Sequence, residues 1–193
     1  GIDIWSDGNF IIEDGVTKVN YDCKPSLISI VKDIRKQDFK GPLLLRFPHI
    51  TNKQITTLYD TFNSSINEYD YKGKFNAVFP LKVNQLPNFI HPLVSMGKKY
   101  NYGLEAGSKA ELVIAMTYNN MGSPITINGF KDKEMIHLCF IAKSMGHNIT
   151  IIIEGLNELE MIIEVLKETK LESPNIGLRV RLHSGGSGLW AKS

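Results

Sequence analysis

The segment ITINGFKDKEMIHLCFIAKSMGHNITIIIE, residues 125–154, decides the fold class. A short apolar run at 125–129 is followed by apolar residues at helical spacing over 132–145, and a second apolar run occupies 149–154. Asp132 is a residue type that caps helix N-termini, and Gly146 is the type that ends helices. The segment therefore predicts a strand, a helix and a second strand, which is the βαβ unit of a parallel sheet.

The same pattern repeats on both sides of this segment. We predict six strands, at residues 43–47, 76–83, 102–106, 125–129, 149–154 and 176–182. Five helices are predicted between them, at residues 52–69, 86–99, 108–119, 132–145 and 156–169. After the first interval the strands recur about every 25 residues, which is the length of one βα unit with short loops.

A parallel sheet buried under helices is either an open doubly wound sheet or a closed eight-stranded barrel. The regular spacing of the strands favours the barrel. A (β/α)8 barrel needs about 250 residues, whereas this chain has 193. The expected fold is therefore α/β, a partial (β/α)8 (TIM-type) barrel. Six of eight strands leave two unpaired sheet edges, which indicates a fragment.

The first forty residues carry a different pattern. Three β-prone pieces are expected, at residues 2–5, 9–12 and 16–20. Asp7-Gly8 and Asp14-Gly15 between them are hairpin signals, and a helical pattern follows from about Ser26. We expect residues 1–40 to form a β-strand element belonging to a β-domain, with a helix that leads into the barrel. Residues 41–193 are expected to form the first six βα units.

Composition excludes several classes of protein. The chain is 42% apolar and 22% charged, which excludes a disordered tail or a fibrous repeat. The net charge is +2 with both signs spread along the chain, so we expect neither nucleic acid nor membrane as a partner. Cys23 and Cys139 lie too far apart for a disulfide framework or a metal-binding spacing, which indicates a reducing, cytoplasmic location.

Polar residues close the predicted strands. In a parallel βα sheet the active site lies at the carboxyl ends of the strands. The residues found there are Lys82, Glu105, Asn128, Glu154, and either Arg179 or Arg181. Because a buried charge is costly unless it is paired, a converging ring of such residues is what a polar or anionic ligand requires.

Lys82 is the most specific member of this set. An ammonium group at the end of an apolar run is expected to lie in surroundings that lower its pKa, and the neutral amine suits Schiff-base chemistry. The alternative is a lysine whose stem covers apolar surface while its ammonium group reaches solvent. The residues around Lys82 do not decide between the two.

Four strings carry a family resemblance that covers essentially all 193 residues. They are FPLKVNQ (79–85), GLEAGSKAEL (103–112), INGFKDKE (127–134) and IGLRVRL (176–182). Together with the opening WSDGNF and the closing GSGLWAKS, they resemble the biosynthetic arginine decarboxylases. Those are pyridoxal-phosphate enzymes with an alanine-racemase-like barrel (fold type III). The resemblance implies that this chain is the N-terminal part of such an enzyme.

The resemblance also implies roles for individual residues. Lys82 matches the lysine that forms the Schiff base with pyridoxal phosphate, and Arg179 matches an arginine near the cofactor ring. Glu105 stands where ornithine-type enzymes have an aspartate beside the cofactor. Ser108 and Asn128 are weaker candidates for cofactor binding, because either could instead cap a helix or a turn. For Arg179, the alternative is an ion pair at a strand end.

The activity implied is decarboxylation of L-arginine to agmatine and CO2 in polyamine biosynthesis, by a homodimer or homotetramer that in some cases requires magnesium. Alternatives are a diaminopimelate, ornithine or carboxynorspermidine decarboxylase, a non-catalytic regulatory homologue, or a domain in which the lysine is structural. Residues 1–193 alone are expected to be inactive, because the family's phosphate loop, ring-stacking histidine and substrate-selecting residues lie later in its chain.

Two further groups are expected to have no part in the site. The glycines of residues 185–188 and His183 match a family loop other than the phosphate loop. The last predicted helix carries the acidic residues Glu158, Glu160, Glu164 and Glu168. These four side chains are expected to form a solvated face of that helix.

Overall fold

The computed structural model describes residues 1–180. The chain divides into two compact units, Gly1–Leu58 and Tyr59–Ser193. In chain order the elements are α1 (Ile2–Trp5), β1 (Phe10–Glu13), β2 (Val16–Val19), α2 (Leu27–Lys36), α3 (Pro48–Glu68), β3 (Val78–Pro80), α4 (Pro87–Gly97), a 3-10 helix (Lys98–Tyr100), β4 (Gly103–Ala106), α5 (Lys109–Tyr118), β5 (Pro124–Ile127), α6 (Lys133–Ser144), β6 (Asn148–Ile153), α7 (Leu156–Thr169) and β7 (Asn175–Leu178). The assignment of the two parts to a β-domain and a barrel stays a prediction.

The first unit contains the predicted hairpin. Strands β1 and β2 are antiparallel, with Phe10 opposite Val19 and Glu13 opposite Val16. Asp14 and Gly15 connect them with φ values of 54° and 71°. Both values are in the left-handed region, as a two-residue type I′ turn requires, and the Asp-Gly signal at this position is confirmed.

The prediction of a strand at residues 2–5 was wrong, because these residues form the single turn α1. The Ser6 N–H donates to the Ile2 carbonyl at 3.0 Å and closes that turn. Asp7 and Gly8 follow with φ values of 51° and 70°. Two left-handed residues can end a helical turn as well as join two strands, so this Asp-Gly pair did not distinguish the two outcomes.

The second unit contains a five-stranded sheet in the order β3-β4-β5-β6-β7, with every neighbouring pair parallel. Right-handed connections between consecutive neighbouring strands keep all the helices on one face. A doubly wound sheet instead reverses its strand order at a switch point. The α/β class is therefore confirmed, and the sequential order is that of a partial (β/α)8 barrel.

Residues 43–47 do not form the predicted first strand. Leu44 is 74% exposed, and no ladder of the described residues includes this run. An apolar run predicts burial, but a strand also needs a neighbouring backbone that accepts and donates its hydrogen bonds. The described part of the sheet accordingly has five strands rather than six.

The two faces of the sheet differ in burial. Alternate strand residues are fully buried on the helix-covered face, namely Leu104, Ala106, Ile125, Ile127, Ile149 and Ile151. The residues between them are half-buried on the other face, where Glu105 pairs in register with Thr126 and Thr126 with Thr150. In a barrel this second face is the interior, so polar side chains on it belong to the side that holds the site.

Helix ends in the second unit follow the predicted signals. The Asp132 side chain accepts a hydrogen bond from the Met135 N–H at 2.8 Å, as an N-cap does. At the other end of α6, the His147 N–H donates to the Ala142 carbonyl and Gly146 has a φ of 94°. This is the Schellman arrangement, and it confirms Gly146 as the stop. No helix within residues 1–180 is long and apolar enough to cross a membrane.

His147 is buried directly after this helix end, and burial lowers the pKa of its imidazole below the ordinary 6.5. The unfolded chain therefore binds a proton at pH values where the folded chain does not. We expect the free energy of unfolding to decrease as the pH falls below about 6.5 and to level off below the folded pKa. Urea denaturation at a series of pH values would measure this. His147→Gln should lose that part of the pH dependence, and identical pH profiles for the two proteins would contradict the prediction.

Candidate active site

The predicted site residues lie at one edge of the sheet in the second unit. Three backbone hydrogen bonds extend the parallel ladder past the strand ends: Leu81 N–H to the Glu105 carbonyl at 2.9 Å, Asn128 N–H to Ala106 at 3.0 Å, and Arg179 N–H to Ile153 at 3.0 Å. Because neighbouring parallel strands end at a common edge, this pairing brings Lys82, Glu105, Asn128 and Arg179 to the same end of the sheet.

Lys82 lies in a turn directly after β3. The Val83 N–H donates to the Pro80 carbonyl at 3.0 Å and closes this turn. Leu81 before it is fully buried, whereas the Lys82 side chain is exposed. The expected apolar enclosure of Lys82 is therefore not formed by the described residues.

Glu105 in β4 and Asn128, directly after β5, contact each other. The Asn128 Nδ2 lies 3.5 Å from Glu105 Oε2, at the long limit of a hydrogen bond. The other amide atom, Asn128 Oδ1, is buried and has no hydrogen-bond partner among the described residues. Buried acceptors of this kind are uncommon, so Asn128 Oδ1 is available to a donor from a bound molecule.

Arg179 is paired with Glu154, a residue predicted at a strand end but not predicted to bind the cofactor. The Arg179 Nη1 lies 3.1 Å from Glu154 Oε1, and the Gly129 N–H donates to the same oxygen at 3.1 Å. The carboxylate therefore joins the ends of β5, β6 and β7. The strand-end ion pair considered for Arg179 is present, and it holds the guanidinium group at the edge of the sheet.

Ser108 caps α5. Its Oγ accepts from the Glu111 N–H at 3.2 Å, and the Glu111 carboxylate accepts from the Gly107 N–H at 2.7 Å. This exchange resembles a capping box, except that the glutamate reaches the residue before the N-cap. The capping contact, which was the alternative role for Ser108, is therefore present.

A buried ion pair joins the loop after β5 to the first turn of α7. Lys131 Nζ is 3.2 Å from Glu158 Oε2, and the side chains are 0% and 5% exposed. The prediction that Glu158 belongs to a solvated face was wrong. A signal was available, because Glu158 precedes Ile162 and Val165 by four and seven residues and so shares the buried face of α7.

Some predicted features fall outside the described residues. These are Arg181, His183, the glycines of residues 185–188, and the closing string GSGLWAKS. Within residues 1–180, no group of three or more His, Cys, Asp or Glu side chains is arranged to hold a metal ion. The magnesium requirement stays a prediction.

Comparison with known proteins gives close relatives for the whole segment. The biosynthetic arginine decarboxylase of Tolumonas auensis is 39% identical over 91% of this chain, and that of Rhodopirellula baltica is 38% identical over 100% of it. This chain covers 28% and 29% of the length of those two proteins. No protein-family model matches it.

A solved structure is also similar. The biosynthetic arginine decarboxylase from Campylobacter jejuni has 63% sequence identity to this chain, and its crystal structure matches this chain with a TM-score of 0.91. The match covers 94% of this chain and 31% of that one. The resemblance predicted from the four strings is confirmed.

Proposed function

The chain is homologous to a segment of the biosynthetic arginine decarboxylases, and we propose from this premise that the protein containing it decarboxylates L-arginine to agmatine and CO2 in polyamine biosynthesis. The observation that carries the proposal is the common edge of the sheet, to which the Lys82 amine after β3, the Glu105 carboxylate of β4 and the Arg179 guanidinium group after β7 all belong. The relatives span more than three times the length of this segment, so the activity is proposed for the full-length protein.

The residues at this edge fit pyridoxal phosphate, the cofactor that we propose. Lys82 carries the primary amine that covalent attachment of a carbonyl compound requires, and its side chain is exposed on a turn. Asn128 Oδ1 is a buried acceptor without a partner in the described part of the chain. Arg179 is a cation that Glu154 already holds in place. An amine, a free acceptor and a fixed cation are suited to a carbonyl-bearing, polar, anionic molecule.

Bound pyridoxal phosphate supplies the electron sink for the electron pair released when the bond from Cα to the carboxylate breaks. The proposed share of this chain is attachment and orientation. Lys82 holds the cofactor at the strand ends, and Glu105 and Asn128 line the same face of the sheet. Arg179 carries positive charge toward it. Loss of CO2 leaves Cα to take up one proton, so L-arginine and a proton give agmatine and CO2.

Borohydride trapping tests the attachment. The full-length protein is incubated with pyridoxal phosphate, reduced with borohydride and digested, and the modified peptide is located by mass spectrometry. We expect a pyridoxyl adduct on Lys82. A folded protein that gives no adduct at Lys82 with cofactor in excess would contradict the proposed role and favour a regulatory homologue or a structural lysine.

The substrate is tested separately with the same preparation. Release of CO2 from L-arginine is compared with release from L-ornithine, diaminopimelate and carboxynorspermidine. A clear preference for one of the last three would keep the cofactor chemistry and overturn arginine as the substrate. We also propose a homodimer or homotetramer, which sedimentation analysis of the full-length protein would distinguish from a monomer.

A further inference from the structure

The buried pair of Lys131 and Glu158 is an unusual use of charge in this unit. The free energy needed to remove two charged groups from water is commonly larger than the free energy gained from their attraction, unless further hydrogen bonds satisfy their remaining polar atoms. The other ion pairs between the regions of α6 and α7 lie at the surface, for example Lys133 with Glu164 at 3.3 Å. Joining the two helices therefore does not require a buried pair.

Both members of the pair also bind the loops that follow β5 and β6. Glu158 Oε1 accepts from the Lys131 N–H at 3.3 Å, and Oε2 accepts from the Glu154 N–H at 2.8 Å. The Lys131 ammonium group donates to the Gly129 carbonyl. The buried carboxylate and the buried ammonium group thus hold the backbone of the loop after β5 and of the loop after β6.

The same two loops carry the contact that holds Arg179. Glu154 Oε1 accepts from the Gly129 N–H at 3.1 Å and binds Arg179 Nη1 at 3.1 Å. The backbone of Glu154 and that of Gly129 are the two groups that Glu158 and Lys131 bind. A continuous chain of hydrogen bonds therefore runs from the buried pair to the guanidinium group.

We propose that Lys131 and Glu158 are positioning residues, which hold the Glu154 carboxylate and through it Arg179 in the orientation used at the active site. The inference rests on the proposed function, in which Arg179 faces the cofactor. A displacement of about 1 Å at a reacting centre can cost about a hundredfold in rate, so a buried network that fixes a cation at the sheet edge has a direct effect on catalysis.

Glu158→Gln in the full-length protein tests this, because the amide keeps the size of the side chain but removes its charge. Measured per folded protomer and well below the melting temperature, kcat/KM should fall about 10- to 100-fold. In an Arg179→Gln background the same change should alter kcat/KM by at most about twofold, since residues that act through one another are not additive. An unchanged kcat/KM, or an equal effect in both backgrounds, would show a purely structural pair.

Amide hydrogen exchange gives a readout that needs no activity. The Gly129 N–H is bonded to Glu154 rather than to Glu158. Faster exchange at Gly129 in Glu158→Gln therefore reports displacement of the Glu154 carboxylate. Unchanged protection at Gly129 would overturn the proposal even if the protein proves not to decarboxylate arginine, in which case the proposed function fails on its own.

Two further variants complete the design. Lys133→Met removes the surface cation that pairs with Glu164 and Glu168, and it should change neither kcat/KM nor exchange at Gly129. If Glu158→Gln does not fold, Lys131→Met replaces it as the test variant. The Glu158 carboxylate that remains in Lys131→Met still accepts hydrogen bonds from two backbone N–H groups, which favours folding of this variant. It should speed exchange at Gly129 in the same direction, and its failure to do so would equally contradict the proposal.

Discussion

Lys82→Ala in the full-length protein is expected to abolish decarboxylation, with kcat reduced by about 10³-fold or more, as for the loss of a group that bonds covalently during catalysis. Lys82 lies exposed in a turn after β3, so its side chain contributes little to packing. The melting temperature should therefore stay close to that of the unmodified protein. Kinetics of CO2 release and thermal unfolding of the same sample provide the two measurements.

Two controls separate the amine from its charge. Lys82→Arg keeps a positive charge of similar reach but offers no primary amine, and it should be as inactive as the alanine variant. Lys98→Ala removes an exposed lysine next to α4 and should leave kcat unchanged. Substantial activity in Lys82→Arg would mean that the position supplies charge only, and the covalent role would have to be abandoned.

Local signals in the sequence predicted the elements of the second unit closely. Asp132 was chosen as an N-cap by residue type and Ser108 was given capping as its alternative role, and each accepts the hydrogen bond from the N–H three residues later. The predicted helix at 156–169 coincides with α7. Caps and apolar periodicity act within one turn of a helix, so the sequence around each end contains the information that sets it.

Features that depend on partners distant in the chain were missed. Residues 43–47 have the composition of a strand, but composition does not tell which backbone pairs with it. Lys131 and Glu158 are separated by 27 residues; Glu158 was assigned by its charge to a solvated face, and no role was predicted for Lys131. The strand-end position of Glu154 was seen, whereas its contact with Arg179 depends on the register between β6 and β7. Tertiary pairing, rather than local propensity, decides these cases.

Phe140→Ala is expected to have the second largest effect, this time on stability. Phe140 is fully buried in α6, a helix that contacts both α7 and β6. Truncating a buried phenylalanine removes apolar contact and leaves a cavity, which destabilises by about 3–5 kcal/mol. Urea denaturation of the full-length protein should show this loss in the free energy of unfolding of the second unit.

Ile141→Ala is the matched control, because Ile141 follows Phe140 on the same helix and is 46% exposed. Its truncation should cost less than about 1 kcal/mol, since surface changes have small effects and alanine favours the helix. At a temperature where the Phe140→Ala variant remains folded, the kcat of that variant should match that of the unmodified protein, because Phe140 lies within α6 and the site residues lie at the strand ends. Equal destabilisation by the two substitutions would mean that α6 does not bury Phe140 in the core of the second unit. The arrangement that brings Glu105, Asn128 and Arg179 to one edge would then need to be revised.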